Sequence, residues 1–140
     1  MEHCIVYLSY LRPQVNESEL VRLLTQSRQN NQQAGITGVM LSVRGSILQV
    51  LEGPKQTVEA LYHRIQSDNR HFKISTVVDR PIQQRLFADM AMGYETISSQ
   101  QLDQIRSLVD LEQPDGLDRQ SQDALLLRTI RLFYQSNRFN

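Results

Sequence analysis

Two apolar runs, residues 36–43 and 46–52, are separated only by Arg44-Gly45. So short a link forces the chain back on itself as a tight hairpin, and any fold must be built around that antiparallel pair. On the second strand Ile47, Gln49 and Leu51 share a face, because strand side chains alternate. The hairpin thus carries a carboxamide to a position where hydrocarbon is the rule. A buried amide needs partners.

The flanking segments supply the rest of the sheet and its cover. Residues 3–10 are β-rich and stop at Arg12-Pro13, with Ile5, Tyr7 and Ser9 on one face and Val6, Leu8 and Tyr10 on the other. Asn16-Glu-Ser-Glu19 reads as an N-cap with Glu at N3, opening a helix whose stripe is Leu20, Leu23, Leu24 and Ser27, extended by Asn31 and ended before Gly35. Pro54 suits the first turn of a second helix with Val58, Leu61, Tyr62 and Ile65 inside, extended by Asp68. Residues 73–79 and 85–93 read as two further strands, the last with Leu86, Ala88, Met90 and Met92 on one face. The order is βαββαββ, which predicts an α+β, ferredoxin-like sheet with two helices on one face. Residues 97–140 read as C-terminal helices. Ser98-Ser-Gln-Gln101 forms a capping box, Leu102, Ile105, Leu108 and Val109 make one stripe, and Leu126, Ile130 and Phe133 make another beyond a break at Pro114-Asp-Gly116.

Composition narrows the class. At 140 residues the chain is long enough for one well-buried core, and 15 basic against 15 acidic residues give no net charge, which argues against nucleic acid as a partner. The lone Cys4 makes no internal disulfide and no zinc site, and reads as a small buried hydrophobe. No run is long enough to span a membrane and no signal segment opens the chain, so a soluble, cytoplasmic protein is expected.

Tyr7 and Gln49 point from the sheet toward the helix layer, with Asn31 and Asp68 approaching from the two helix ends. Together they outline a slot between the helices, floored by the sheet and rimmed by polar groups, as ligand pockets are built. Each has an ordinary structural explanation too: a core tyrosine, a strand glutamine facing solvent, an Asn-Asn helix end. Arg64, Asp68, Arg70 and His71 form a second polar group near the end of the second helix, suited either to ligand oxygens or to complementing the helix dipole. Methionines 40, 90 and 92 suit core filling. No phosphate loop, dinucleotide fingerprint or nucleophile elbow is present, so no catalytic turnover is expected.

Several motifs occur together and in order over roughly residues 1–95: Ile5-Val-Tyr7-Leu-Ser9, Ser27-Arg-Gln-Asn30-Asn31 with Gly35-Ile-Thr-Gly38, Leu48-Gln-Val-Leu-Glu-Gly53, Leu61-Tyr-His-Arg-Ile65, Asp68-Asn-Arg-His71 and Met92-Gly93. In this combination the chain resembles the BLUF domains, blue-light sensors using flavin, with residues 96–140 similar to the two-helix cap of short stand-alone members. The resemblance implies a non-covalently bound flavin, FAD first, with FMN or riboflavin compatible. It implies Tyr7 as photochemical electron and proton donor, Gln49 as the switching amide, and Met92 as the relay to the last strand. Asn31 would hold the ring edge and Asn30 would be a neighbouring contact. Arg64 would reach the far side, and Asp68, Arg70 and His71 would form the rim. Family members often carry Trp-x-Met on the last strand, where this chain has Met90-Ala-Met92 and no tryptophan. Without an effector after residue 95, output is expected through a downstream response protein or a homo-oligomer. The competing expectations are a flavin-free ferredoxin-like scaffold and an acylphosphatase-like enzyme.

Overall fold

The computed structural model describes residues 1–110 and 118–138. The elements run β1 (Glu2–Leu11), α1 (Glu17–Ala34), β2 (Thr37–Val43), β3 (Ser46–Pro54), α2 (Lys55–Gln66), β4 (His71–Pro81), β5 (Gly93–Thr96), α3 (Ser99–Asp110) and α4 (Arg119–Arg138). The sheet order is β4-β1-β3-β2-β5, antiparallel except for the β2–β5 pair. The βαββαββ reading and the C-terminal helices are therefore what the chain forms. The break expected at Pro114-Asp-Gly116 lies outside the described residues.

Local chemistry accounts for the punctuation. Arg44 and Gly45 both take positive φ, 49° and 82°, the conformation in which a two-residue hairpin matches strand twist. Asn16 Oδ1 accepts the Glu19 N–H at 2.8 Å and starts α1, while Gly35, at φ 73°, ends it in the left-handed conformation. Gly38 lets β2 approach β3, since a Cβ there would lie 1.9 Å from the Val50 carbonyl oxygen.

Strand β3 lies at the centre of the sheet and is covered on both faces. On one side α1 and α2 pack with Ile5, Tyr7, Leu51 and Met92; on the other α3 and α4 pack with Val6, Val39, Leu48 and Val50. Val6, Val39 and Val50 are wholly buried, and each such side chain stabilises the fold by about 1.5–3 kcal/mol. The capping box at Ser98 forms reciprocally, with Gln101 N–H to Ser98 Oγ and Ser98 N–H to Gln101 Oε1, both at 3.0 Å. The terminal helices thus cover the sheet face opposite the first two. Leu102 and Ile105 of α3, and Leu126, Ile130 and Phe133 of α4, are buried in that layer.

One expectation fails. Residues 85–93 are not a strand: 82–92 form an irregular connection and only Gly93–Thr96 pairs with β2, in parallel. The supposed one-face row splits, with Met92 packed on the α1/α2 side while Leu86 and Met90 pack on the α3/α4 side. The physical reason is where the backbone finds its partners. Glu52 accepts the Leu86 and Phe87 N–H groups, and Met90 O accepts from Gly38 N–H at 2.9 Å. Those contacts satisfy the polar groups that a strand ladder would otherwise take.

Candidate functional site

Tyr7 and Gln49 are directly opposed residues of the β1–β3 ladder, with side chains on the α1/α2 face. The Tyr7 hydroxyl donates to Gln49 Oε1, and Gln49 Nε2 donates to the Met92 sulfur at 3.3 Å. All three side chains are at most 5% exposed. They form a buried chain of hydroxyl, carboxamide and thioether, with the amide in the middle. Thioether sulfur is a weak acceptor, so the second link holds loosely. Burial raises the Tyr7 pKa, with smaller contributions from Tyr62 and Asp68, and keeps the phenol neutral.

Tyr7 and Gln49 floor a cleft of roughly 690 Å³ of empty space, its open mouth included. Met40 and Ile47 complete the floor; Leu20, Leu23, Leu24, Ser27 and Asn31 give the α1 wall; Leu61 and Ile65 give the α2 wall. Leucines face one another across a gap whose floor carries the polar atoms, a shape suited to a flat ring with hydrogen-bonding edges. Asn31 is 3% exposed, with Nδ2 donating to the Ala91 carbonyl at 2.8 Å. That bond fixes one end of its carboxamide at the cleft wall.

Asp68, Arg70 and His71 line the mouth. Arg70 grips Asp68 through Nη2 at 2.5 Å, Nε at 2.9 Å and its backbone N–H at 3.0 Å. The guanidinium holds the Asp68 carboxyl below the ordinary carboxylate range, and Asp68 in turn raises Arg70. The His71 Nε2 faces the Ile65 carbonyl at 2.7 Å, which can only accept, so Nε2 carries the proton and Nδ1 faces Ser9 Oγ at 3.0 Å. Its ring meets that of Tyr7 edge-on, at 6.1 Å between centroids. Tyr62 packs on the Tyr7 ring at 5.4 Å and bonds Thr76 through its hydroxyl.

Of the site residues expected from sequence, the fold brings Tyr7, Asn31, Gln49, Asp68, Arg70 and His71 to this cleft and sets Met92 against Gln49. Asn30 and Arg64 are exposed and outside the lining; Asn30 Oδ1 accepts from Gln26 at 3.3 Å. Cys4 is buried on the opposite face of the sheet, among the α3/α4 contacts. Two residues that sequence reasoning left without a role join the arrangement. Glu52, 2% exposed, clamps the connection before β5, and Arg28 Nε donates to the Met92 carbonyl at 2.9 Å. A carboxylate inside the buried run 47–52 is the one sequence signal that could have found the first; none marks the second. No cluster of metal-ligating side chains occurs among the described residues, and none of their helices is long and apolar enough to cross a membrane.

The family model for BLUF, "Sensors of blue-light using FAD", matches residues 3–93. Among curated proteins the chain is 36% identical over 83 residues to the photoactivated adenylate cyclase subunit beta of Euglena gracilis, covering 59% of this chain. It is 29% identical over 70 residues, half of this chain, to the blue light- and temperature-regulated antirepressor BluF of Escherichia coli K12. It spans 10% of the cyclase subunit and 17% of the antirepressor. Among solved structures it is similar to BlrB, a BLUF protein in its dark state, with TM-score 0.71 and 28% identity over 94% of this chain and 96% of that one. It is also similar to the photo-activated state of BlsA, with TM-score 0.73 and 25% identity over 93% and 95%.

Proposed function

The chain belongs to the BLUF family of flavin-using blue-light sensors, and from that premise we propose that its Tyr7–Gln49–Met92 chain is the switch by which it senses blue light. The observation that carries the reading is the placement of Gln49. Its carbonyl oxygen accepts a hydrogen bond from the Tyr7 hydroxyl, while its N–H group rests on a weak sulfur acceptor beside an open cleft.

The residues present fit a flavin. The facing leucines of α1 and α2 would hold its ring system, with Gln49 and Asn31 supplying amide groups along one edge and Asp68, Arg70 and His71 lining the mouth. Asn30 and Arg64, outside the lining, are assigned only to parts of the cofactor extending beyond it. The bound flavin supplies blue-light absorption and a strongly oxidising excited state. Everything else falls to the protein. Tyr7, neutral and 3% exposed, would be the residue such an oxidant draws on, and its hydroxyl is hydrogen-bonded to Gln49 Oε1. Gln49 carries an acceptor and two donors on one planar group, so rotation or tautomerisation exchanges what it offers on its two sides. Rotation carries the donor away from Met92 and so breaks the weak link, the contact that leads toward β5.

The family description supports FAD as the native flavin, ahead of FMN or riboflavin. We assign residues 1–95 to light sensing and 96–140 to a helical cap, a division supported by the end of the family match at residue 93. Output goes to a downstream response protein through protein contact, within a cytoplasmic homo-oligomer. A concentration-independent monomer mass by sedimentation would count against the oligomer.

The test of the reading is absorption of the purified protein, loaded with FAD, in darkness, under blue light and during recovery. A structured flavin spectrum that shifts reversibly to the red supports it. Bound flavin with no shift rejects the switch, and no binding at all returns the chain to the flavin-free scaffold reading.

A further inference from the structure

Residues 90–92 lie outside every strand, yet the carbonyl of each is occupied. Met90 O accepts from Gly38 N–H at 2.9 Å, Ala91 O from Asn31 Nδ2 at 2.8 Å, and Met92 O from Arg28 Nε at 2.9 Å. The last two donors come from one helix, three residues apart, so they project from the same side of α1. Helix α1 therefore staples two consecutive peptide units of the segment that presents Met92 to Gln49. The Arg28 bond is charge-assisted and falls on Met92 itself, whereas the Gln49 contact ends on a thioether at 3.3 Å. When Gln49 reorients, the sulfur contact is the weaker one, and the staple decides whether the backbone moves with it.

What lies beyond Met92 is closely covered by side chains. A Cβ on Gly93 would sit 2.8 Å from the Tyr134 hydroxyl and 2.8 Å from the Met90 sulfur, so the α4 ring is packed directly on the next residue. The other end of β5 is tied to the same helix, Asn137 Nδ2 donating to the Thr96 carbonyl at 2.9 Å. Close packing of this kind passes on a displacement of a few tenths of an ångström instead of absorbing it.

We propose that Arg28, which is not among the residues lining the cleft, is a positioning residue that holds the Met92 backbone in register with Gln49. By that hold it sets the lifetime of the light-adapted arrangement and the movement passed through Gly93 to α4. The inference rests on the light-sensor reading. The Arg28 bond keeps Met92 where Gln49 must meet it again on return. Its loss therefore slows recovery.

The experiment compares wild type, Arg28→Ala, Arg28→Gln and Arg28→Lys, each loaded with FAD, by absorption after a blue pulse. The expected result is a red shift of unchanged size in all four and recovery about tenfold slower in the alanine variant, the factor one charge-assisted hydrogen bond carries. Lys and Gln, whose side chains can each donate an N–H to the Met92 carbonyl, recover at intermediate rates. Should the alanine variant fail to fold, the ordering of Gln and Lys against wild type carries the test. Amide exchange across β5 and α4 should also change on illumination in wild type and change less in the variants. Recovery within twofold of wild type in every variant overturns the proposal, as does loss of the red shift on removal of Arg28. A wild type without any red shift defeats the underlying sensor reading and takes the proposal with it.

Discussion

Replacing Glu52 with leucine tests the clamp that fixes residues 85–92 under the sheet. The carboxylate is 2% exposed; Oε2 accepts the Leu86 N–H at 2.6 Å, and Oε1 accepts the Phe87 N–H at 3.0 Å and the Thr37 hydroxyl at 3.1 Å. Leucine approximates the shape and accepts nothing. A buried donor left unpaired costs about 1–3 kcal/mol, which applies in full to the Phe87 N–H; the Leu86 N–H, with partial access to water, costs nearer the lower end. The Thr37 hydroxyl can turn elsewhere. Against that, the buried leucine contributes about 1–2 kcal/mol of apolar burial and removes a desolvated carboxylate. The net is a loss of about 1 kcal/mol near neutral pH, and with a urea slope of about 2 kcal/mol/M the unfolding midpoint falls by about 0.5 M. A second arm uses pH. Burial raises the Glu52 pKa, outweighing the hydrogen bonds that lower it, so the folded state prefers the proton more than the unfolded chain does. Its contribution is therefore full below the ordinary carboxylate range and declines as pH rises through the raised native value. Leucine carries no proton, so the stability gap between wild type and variant narrows as pH climbs above about 4.5. A midpoint within about 0.2 M of wild type, or a gap that widens with rising pH, would refute the clamp.

The remaining predictions concern the cleft mouth and the exit route. Asp68 is held low by Arg70, so its share of stability is present above the ordinary carboxylate range and is lost as pH falls through the lowered native value. Asp68→Asn should flatten that acid limb in urea titrations, and an unchanged limb would remove the pair from the account. Gly93→Ala drives a methyl to within 2.8 Å of Tyr134 and Met90, an overpacking that costs about 1–3 kcal/mol by thermal or urea unfolding. Unaltered stability there would mean that α4 is not packed tightly on β5. Met92→Ala should keep the red shift, since the Tyr7–Gln49 bond survives it, while light-dependent exchange in α4 diminishes.

Much of this was legible because it is written in local pattern. The gap at Arg44-Gly45, the cap at Asn16 and the period-two faces of residues 3–10 and 46–52 put Tyr7 and Gln49 on the helix-covered face of the sheet, though they do not set the register that opposes them. Asn31 and Asp68 continue helical stripes, and both reach the cleft. The segment 85–93 misled because its apolar alternation imitates a strand, while its backbone partners come from Glu52, Gly38, Asn31 and Arg28, far away in sequence. Arg28 is the extreme case, since its acceptor is a main-chain carbonyl 64 residues away, and a carbonyl has no side-chain identity to read. Arg64 and Asn30 show the converse: motif position named them, but helical phase leaves both exposed and outside the lining.

The central claim is that one buried amide, bonded to Tyr7 and resting on Met92, converts light into a changed hydrogen-bond pattern. The most direct measurement is the blue-light difference spectrum of Gln49→Leu beside wild type, both loaded with FAD and matched for bound flavin. The account predicts a reversible red shift in the wild type and none in the variant, which still binds flavin because the leucine walls and Asn31 are intact. An equal, reversible red shift in Gln49→Leu would contradict it.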